Sequence, residues 1–387
     1  MINQPQKTDQ PAPTFVIAPN RNRNAIKIVL GIAAALIALL LGLIVLLLIG
    51  VETGPIALLV GLVSATVPVP LYIVLVLWID RYESEPLWML ATAFFWGALV
   101  AVFFAFLINT AAAVIVAVLT ENRKAAETFA AVISAPIVEE TSKALILFIF
   151  FFWKKDEFDG VVDGIVYAAL VGLGFAMTEN IQYYGKAVLG NSGPGLTPVF
   201  IIRGMFAPFS HPLFTSMTGI GLGLARQSRH AAVKVITPIV GLLAAICMHS
   251  IWNGSAAIFG GGVFILTYIV VMVPAFFIML FVIFLALRRE GQIVREYLMP
   301  DFQGGTLSAQ EFSRLCTIRG RMGSSFNALS RGGLAQWRVC RQFNQMASEL
   351  AFHRSRVARG IRKPDAHERE AAYLAAMQDL LNKLRSN

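Results

Sequence analysis

The chain has 387 residues, 57% of them hydrophobic and only 14% charged, against roughly 25% charge in an average soluble domain. That balance excludes a freely soluble globular protein and predicts an all-α polytopic membrane protein. The net charge of +9 is concentrated at one end: residues 288–387 hold 17 Lys/Arg against 9 Asp/Glu, whereas residues 1–287 hold 15 against 14.

The first stretch, MINQPQKTDQPAPTFVIAPN, is rich in proline and polar residues, and residues 1–26 read as a disordered leader. The apolar run that starts near Lys27 exceeds the roughly 7 to 15 residues of a signal h-region, so an uncleaved anchor is expected. At roughly 20 apolar residues per crossing, eight spans are predicted, near 27–50, 55–79, 87–118, 131–153, 160–182, 198–225, 232–254 and 260–287. Lys and Arg next to the spans set their direction. Arg21, Arg23, Lys27, Lys154, Lys155, Arg226, Arg229, Lys234, Arg288 and Arg289 fall on one side if the count is eight, and only Arg123, Lys124 and Lys186 on the other. Both termini are therefore expected in the cytoplasm of a multi-pass plasma-membrane protein.

Three units follow: the leader, an eight-helix membrane domain over 27–288, and a basic helical tail over 289–387. In the tail, Ser308 with Glu311 and Asp365 with Glu368 fit capping boxes, and Tyr373, Met377, Leu380, Leu381 and Leu384 recur at helical spacing. Such a tail could lie on anionic lipid, bind a partner or pack on itself; no nucleic-acid partner is expected. Cys247, Cys316 and Cys340 have no metal-type spacing.

A charge at mid-membrane costs at least roughly 2.5 to 3.5 kcal/mol on insertion scales, so each one requires an explanation. Away from the helix ends the charged residues and histidines are Glu139, Glu140, Lys143, Asp163, Glu179, Arg203, His211 and His249, with Asn180 and Asn253 beside them. Counted at about 1.5 Å per residue, Glu139 and Glu140 lie roughly 12 to 14 Å below the outer surface. Glu179, Asn180, His249 and Asn253 fall near the outer ends of their spans, and His211 is halfway along its own. Pro208 and Pro212 bracket His211 and predict a break there, of the kind that lines a buried or wet cavity. Gly172, Gly174, Gly219, Gly221 and Gly223 predict close packing of the fifth and sixth spans. Structural alternatives exist for single residues: Glu139 with Lys143 is also a simple i,i+4 ion pair, and His249 alone is also a helix contact. Asp163 with Tyr167 lies nearer the cytoplasmic end, where a structural or gating role is expected.

Carboxylates beside histidines in a low-dielectric pocket suit activation of water and hydrolysis of an amide. Glu139 or Glu140 is the candidate base, assisted by Glu179, with His249 and Asn253 as donors to the oxyanion. The alternative is a divalent metal such as zinc, held by residues among Glu140, Glu179, His211 and His249, with Lys143, Asn180 and Asp163 supporting. A transporter using the same cluster as a proton or cation site is a non-enzymatic alternative. There is no Walker loop, no GxSxG elbow and no GxGD-type pair.

The motifs DRYESEP (80–86), EETSK (139–143), DGIVYA (163–168), FAMTEN (175–180), HPLFT (211–215) and HSIWN (249–253) together resemble the PrsW family of intramembrane proteases, relatives of the type II CAAX prenyl endopeptidases and of bacteriocin-processing membrane proteins. The resemblance implies cleavage of a single-span anti-sigma factor on its outer side, ahead of a second intramembrane cut that frees a sigma factor. Processing of a prenylated or peptide precursor is the alternative within the same class. The wider superfamily's order EExxxR, FxxxH, HxxxN maps onto Glu139 and Glu140, Glu179, and His249 with Asn253. Glu179 stands where that pattern has histidine, so His211 is the spatial substitute, and Ser84 stands where the PrsW loop motif has proline. PrsW proteins are classed as metallopeptidases, whereas the CAAX relatives imply a metal-free glutamate mechanism.

Overall fold

A computed structural model describes residues 21–190, 195–361 and 364–386; most of the expected leader lies outside the described residues. Among them the regular elements are helical throughout. This is the only solution open to long apolar runs that must satisfy their backbone groups without water. The chain begins with α1 (Arg21–Thr53), α2 (Pro55–Thr66) and α3 (Val69–Leu77), the last two separated at Pro68. A π-helical stretch, Trp96–Ala101, joins α4 (Leu87–Phe95) to α5 (Val102–Thr120), and another, Ala130–Ser134, joins α6 (Arg123–Phe129) to α7 (Ala135–Trp153). After α8 (Val161–Leu189), α9 (Leu196–Phe200) runs into a π stretch, Ile201–Phe206, and α10 (Ser210–Gln227) follows a break at residues 207–209. Then come α11 (Ala231–Ala257), α12 (Gly261–Thr267), a π stretch Tyr268–Met272 and α13 (Val273–Tyr297). The tail holds α14 (Met299–Gln303), α15 (Ala309–Leu315), α16 (Ile318–Ala358) and α17 (Ala366–Arg385).

Among the described residues, six segments are long and apolar enough to cross a membrane unaided: Ile28–Thr53, Pro55–Leu77, Leu87–Thr120, Val161–Leu189, Ala231–Ala257 and Gly261–Tyr297. The two other expected spans, 131–153 and 198–225, are helical but interrupted in chemistry or in backbone. α7 carries Glu139, Glu140 and Lys143, and the break before α10 splits the second of them just ahead of His211. The helix through α7 also starts earlier than expected, at Arg123, where the Asn122 side chain accepts from the Ala125 N–H at 3.0 Å. Its first turns, RKAAETF, are polar.

The axis of the bundle is α8, buried along nearly its whole length while the other five long segments keep exposed apolar faces. Glycine permits this. The backbones of α8 and α10 meet at Gly164 and Gly219, each occupying the space a Cβ on the other would need. Higher on α8, a Cβ on Gly172 would lie 2.7 Å from the backbone carbon of His211. The expected close packing of these two helices is therefore what seats His211 against the bundle axis.

On the tail side, α13 continues through residue 288, and one hydrophobic cluster runs from Leu147, Val166 and Phe214 in the membrane helices to Leu315, Phe343, Leu350 and Leu381 in the tail. The Ser308–Glu311 capping box forms. The Asp365–Glu368 box does not: Asp365 makes no capping bond and pairs with Arg369 at 2.7 Å. Met377 and Leu381 are buried, so the apolar stripe of α17 packs within the tail. Arginines then fasten the tail to the loops before α4 and α8. Arg356 binds Glu83 and lies 3.4 Å from Asp159, Arg359 reaches Asp159 at 2.8 Å, and Arg321 donates to the Arg81 carbonyl at 3.2 Å. Ser84 donates to Gln345 at 3.2 Å.

Two buried carboxyls in this loop make stability depend on pH. Burial pushes Asp80 up to about 7, and burial together with the nearby Asp163 charge pushes Glu85 well above the usual carboxylate range. Such a group binds its proton more tightly when folded. Its contribution is complete below the unfolded value of about 4 and is lost as pH rises through the folded value. The apparent melting temperature in detergent is therefore expected to be higher at pH 6 than at pH 8, with a smaller difference in Asp80→Asn; equal pH dependence in the two proteins would contradict the assignment.

Candidate active site

Helical spacing puts three charged side chains of α7 together: Glu139 and Lys143 four residues apart, Glu140 and Lys143 three apart. All three are buried, and Lys143 has no exposed surface. Its ammonium lies 2.8 Å from Glu140 Oε1, 3.5 Å from Glu139 Oε2 and 3.1 Å from His211 Nδ1, and 3.8 Å from the centre of the Phe175 ring. A buried cation needs this density of acceptors to offset its lost hydration.

The two glutamates are not equivalent. Glu140 is saturated: one oxygen binds Lys143 and, at 3.0 Å, His249 Nδ1, while the other accepts from the Thr215 hydroxyl at 2.9 Å. Glu139 Oε2, by contrast, is buried without a hydrogen bond. Besides Lys143, its polar neighbour is His249 Nε2 at 3.9 Å. An unsatisfied carboxylate oxygen in an apolar bundle is costly and marks a place where something else is meant to bind or react.

Chemistry assigns the histidine tautomers. An ammonium only donates, so His211 Nδ1 accepts from Lys143 and its proton is on Nε2, which donates to Glu179 Oε2 at 2.8 Å. His249 donates from Nδ1 to Glu140, which leaves the Nε2 lone pair on the side of Glu139. The rings meet edge to face, centroids 5.2 Å apart, with Phe214 stacked on His249 at 5.1 Å. Glu179 is held in turn by Arg203 Nη2 at 2.7 Å, and Arg203 Nε donates to Asn180 at 2.7 Å.

The structure thus gathers Glu139, Glu140, Lys143, Glu179, His211 and His249 in one network, with Asn180 at its edge. Two expected members belong elsewhere. Asn253 donates to the Ala131 carbonyl at 2.9 Å, within the π stretch before α7. Asp163 caps α8, accepting from the N–H groups of Asp159 and Gly160 at 2.8 and 2.7 Å. Thr215 and the cation-binding face of Phe175 were not foreseen, although Thr215 sits four residues after His211 and so on the same face of α10.

Glu139, His211 and His249 each offer one ligand atom, all within 4.8 Å of one another. This donor set differs from the expected one, because Glu140 and Glu179 bind the far nitrogens of the two histidines. That outer arrangement, with each imidazole donating to a carboxylate, is the usual support of metal-ligating histidines. Together with the unsatisfied Glu139 oxygen it makes two imidazoles and one carboxylate a fitting set for a zinc-type ion.

A family model described as PrsW family intramembrane metalloprotease matches residues 85–279. Protease PrsW of Oceanobacillus iheyensis is 36% identical over 101 residues, covering 26% of this chain and 42% of that protein. Protease PrsW of Geobacillus kaustophilus is 42% identical over 71 residues, covering 18% and 28%. The matched stretch spans less than half of either relative. No solved structure matches the chain. The family match takes in α4 through α12 and with them every residue of the buried network, and six segments able to cross a membrane accompany it; the chain is a multi-pass membrane protein and belongs to the PrsW family of intramembrane metalloproteases.

Proposed function

We propose that the chain is an intramembrane endopeptidase that hydrolyses a peptide bond of a membrane-anchored protein, with Glu139 taking the proton from the attacking water. The observation that carries this reading is the buried, unbonded Glu139 Oε2 beside the His249 Nε2 lone pair. Both oxygens of Glu140 already accept hydrogen bonds, from Lys143, His249 and Thr215, whereas Glu139 Oε2 accepts none. In this reading Glu140 is the anchor and Glu139 the base.

The oxyanion that develops on the scissile carbonyl needs hydrogen-bond donors or a cation beside it. His249 directs its Nδ1 proton toward Glu140, and one N–H of Asn253 is used on the Ala131 carbonyl. A metal held by His211, His249 and one carboxylate oxygen of Glu139 would supply Lewis acidity and a more acidic bound water, leaving the other Glu139 oxygen to take the proton. This chain's own residues fix the imidazoles: Glu140 and Glu179 orient the rings, Arg203 holds Glu179, and Phe214 supports His249.

For the substrate, we infer first-site cleavage of a single-span anti-sigma factor near the extracytoplasmic face. The reading rests on the family and on the expectation, from the placement of Lys and Arg, that both termini are cytoplasmic. It predicts that a deletion strain accumulates an uncut single-span regulator of a sigma factor in membrane proteomics. Accumulation of an uncut prenylated or secreted peptide precursor instead would move the substrate to the alternative class.

The two glutamates should separate experimentally. Glu139→Gln removes no hydrogen bond from Oε2, so it is expected to lower cleavage at least about 100-fold with little change in stability. Glu140→Gln breaks a buried ion pair and is expected to lose stability as well, by about 3 to 5 kcal/mol, measured by denaturation in detergent. Retained cleavage in Glu139→Gln would refute its role as the base.

A further inference from the structure

Lys143 is the feature this reading leaves unexplained. A metalloprotease site has no evident need of a buried ammonium beside its ligands, yet Lys143 reaches Glu140, the side of Glu139 and His211 Nδ1 at once, and lies over the Phe175 face. The decisive contact is the one to His211. Its Nε2 is committed to Glu179, so Nδ1 is the nitrogen left for a metal, and Lys143 already donates to that lone pair at 3.1 Å.

We propose that Lys143 is a built-in counter-cation that competes with the metal for His211 and Glu139, so that metal binding requires the ammonium to release His211 Nδ1. The inference rests on the assignment of Glu139, His211 and His249 as the metal-ligating set. The ammonium need not leave the network. Glu140 Oε1 at 2.8 Å and the Phe175 ring remain as its partners once His211 is given up, while Glu139 is released to the incoming ion. Without metal it keeps the two adjacent carboxylates of α7 from facing each other unscreened. With metal it stands a few ångströms from a divalent charge and weakens the affinity. Lys143 is thus a positioning residue that sets how readily the site loads and unloads.

The test uses the full-length protein purified in detergent and stripped with chelator, titrated with Co²⁺ and followed by its visible absorption, with Zn²⁺ competition as a second readout. Lys143→Gln is expected to bind Co²⁺ at least tenfold more tightly than the unsubstituted chain. Lys143→Arg, which keeps the charge, is expected to bind no more tightly than the unsubstituted chain. Glu139→Gln and His249→Ala should each abolish the tight phase. Equal or weaker affinity in Lys143→Gln overturns the proposal, as does absence of Co²⁺ binding in both proteins, or tight binding that survives Glu139→Gln. If Lys143→Gln does not accumulate, Lys143→Met, an uncharged side chain of similar length over the Phe175 ring, replaces it with the same expectation. Affinity is read without substrate, so an error in the substrate leaves the result unchanged. Loss of proteolysis in Glu139→Gln alongside equal Co²⁺ affinities would overturn the role of Lys143 alone.

Discussion

An ammonium with no exposed surface, in a helix surrounded by apolar side chains, persists only where acceptors replace its water. Lys143 imposes that condition on four helices. Two of its acceptors come from its own helix, but His211 comes from α10, and the ring beneath it, Phe175, comes from α8. His249 on α11 enters through Glu140, the acceptor that Lys143 already polarises. Unpairing a buried charge of this kind costs several kcal/mol. The separation and rotation of α7, α8, α10 and α11 are therefore tied to one side chain.

A second constraint comes from the backbone. π-helical stretches open the regular hydrogen-bond ladder and leave carbonyls that in a membrane must find other donors. The neighbouring helices supply them. Thr178 donates to Ala98 at 2.7 Å, Asn253 to Ala131 at 2.9 Å, and Tyr268 to Phe206 at 2.9 Å, while Tyr72 donates to Gly204. The stretch before α7 sets the phase at which Glu139 and Glu140 face the bundle. The stretch before α10 ends in the break that turns His211 inward. Asn253 therefore contributes to the site through the backbone of α7, a role compatible with its position one turn from His249.

Much of this was legible in the sequence. Charges and imidazoles in apolar runs pointed to one shared site, the prolines around His211 to a broken helix, and the glycines to the close contact of α8 with α10. Adjacent residues were harder. Helical periodicity places Glu139 and Glu140 about 100° apart on one helix, but which of them is saturated depends on where Thr215 and His249 arrive from other helices. The same limit applied to Asn253, whose spacing from His249 fixes a shared face and not a shared partner. Thr215 carried no signal of its own and Phe175 read as packing, because a threonine and a phenylalanine in a membrane helix are ordinary. Only the proximity of Glu140 and Lys143 gives them meaning.

The tail side of the bundle connects to the site through α8. Asp163 closes the first turn of this helix, and the loop it caps also carries Asp159, which Arg356 and Arg359 of the tail grip. One turn further on, Tyr167 binds Glu85 of the loop before α4. A little over three turns beyond that, the same helix presents Glu179 to His211. A rigid, buried helix therefore has the tail and the DRYESEP loop on one end and an outer partner of the histidine pair on the other. Any shift of α8 that loosens Gly172 from the α10 backbone must also move Glu179 relative to His211. The acidic loop motif and the buried glutamates are far apart in sequence and chemistry, but they act on the two ends of one mechanical element.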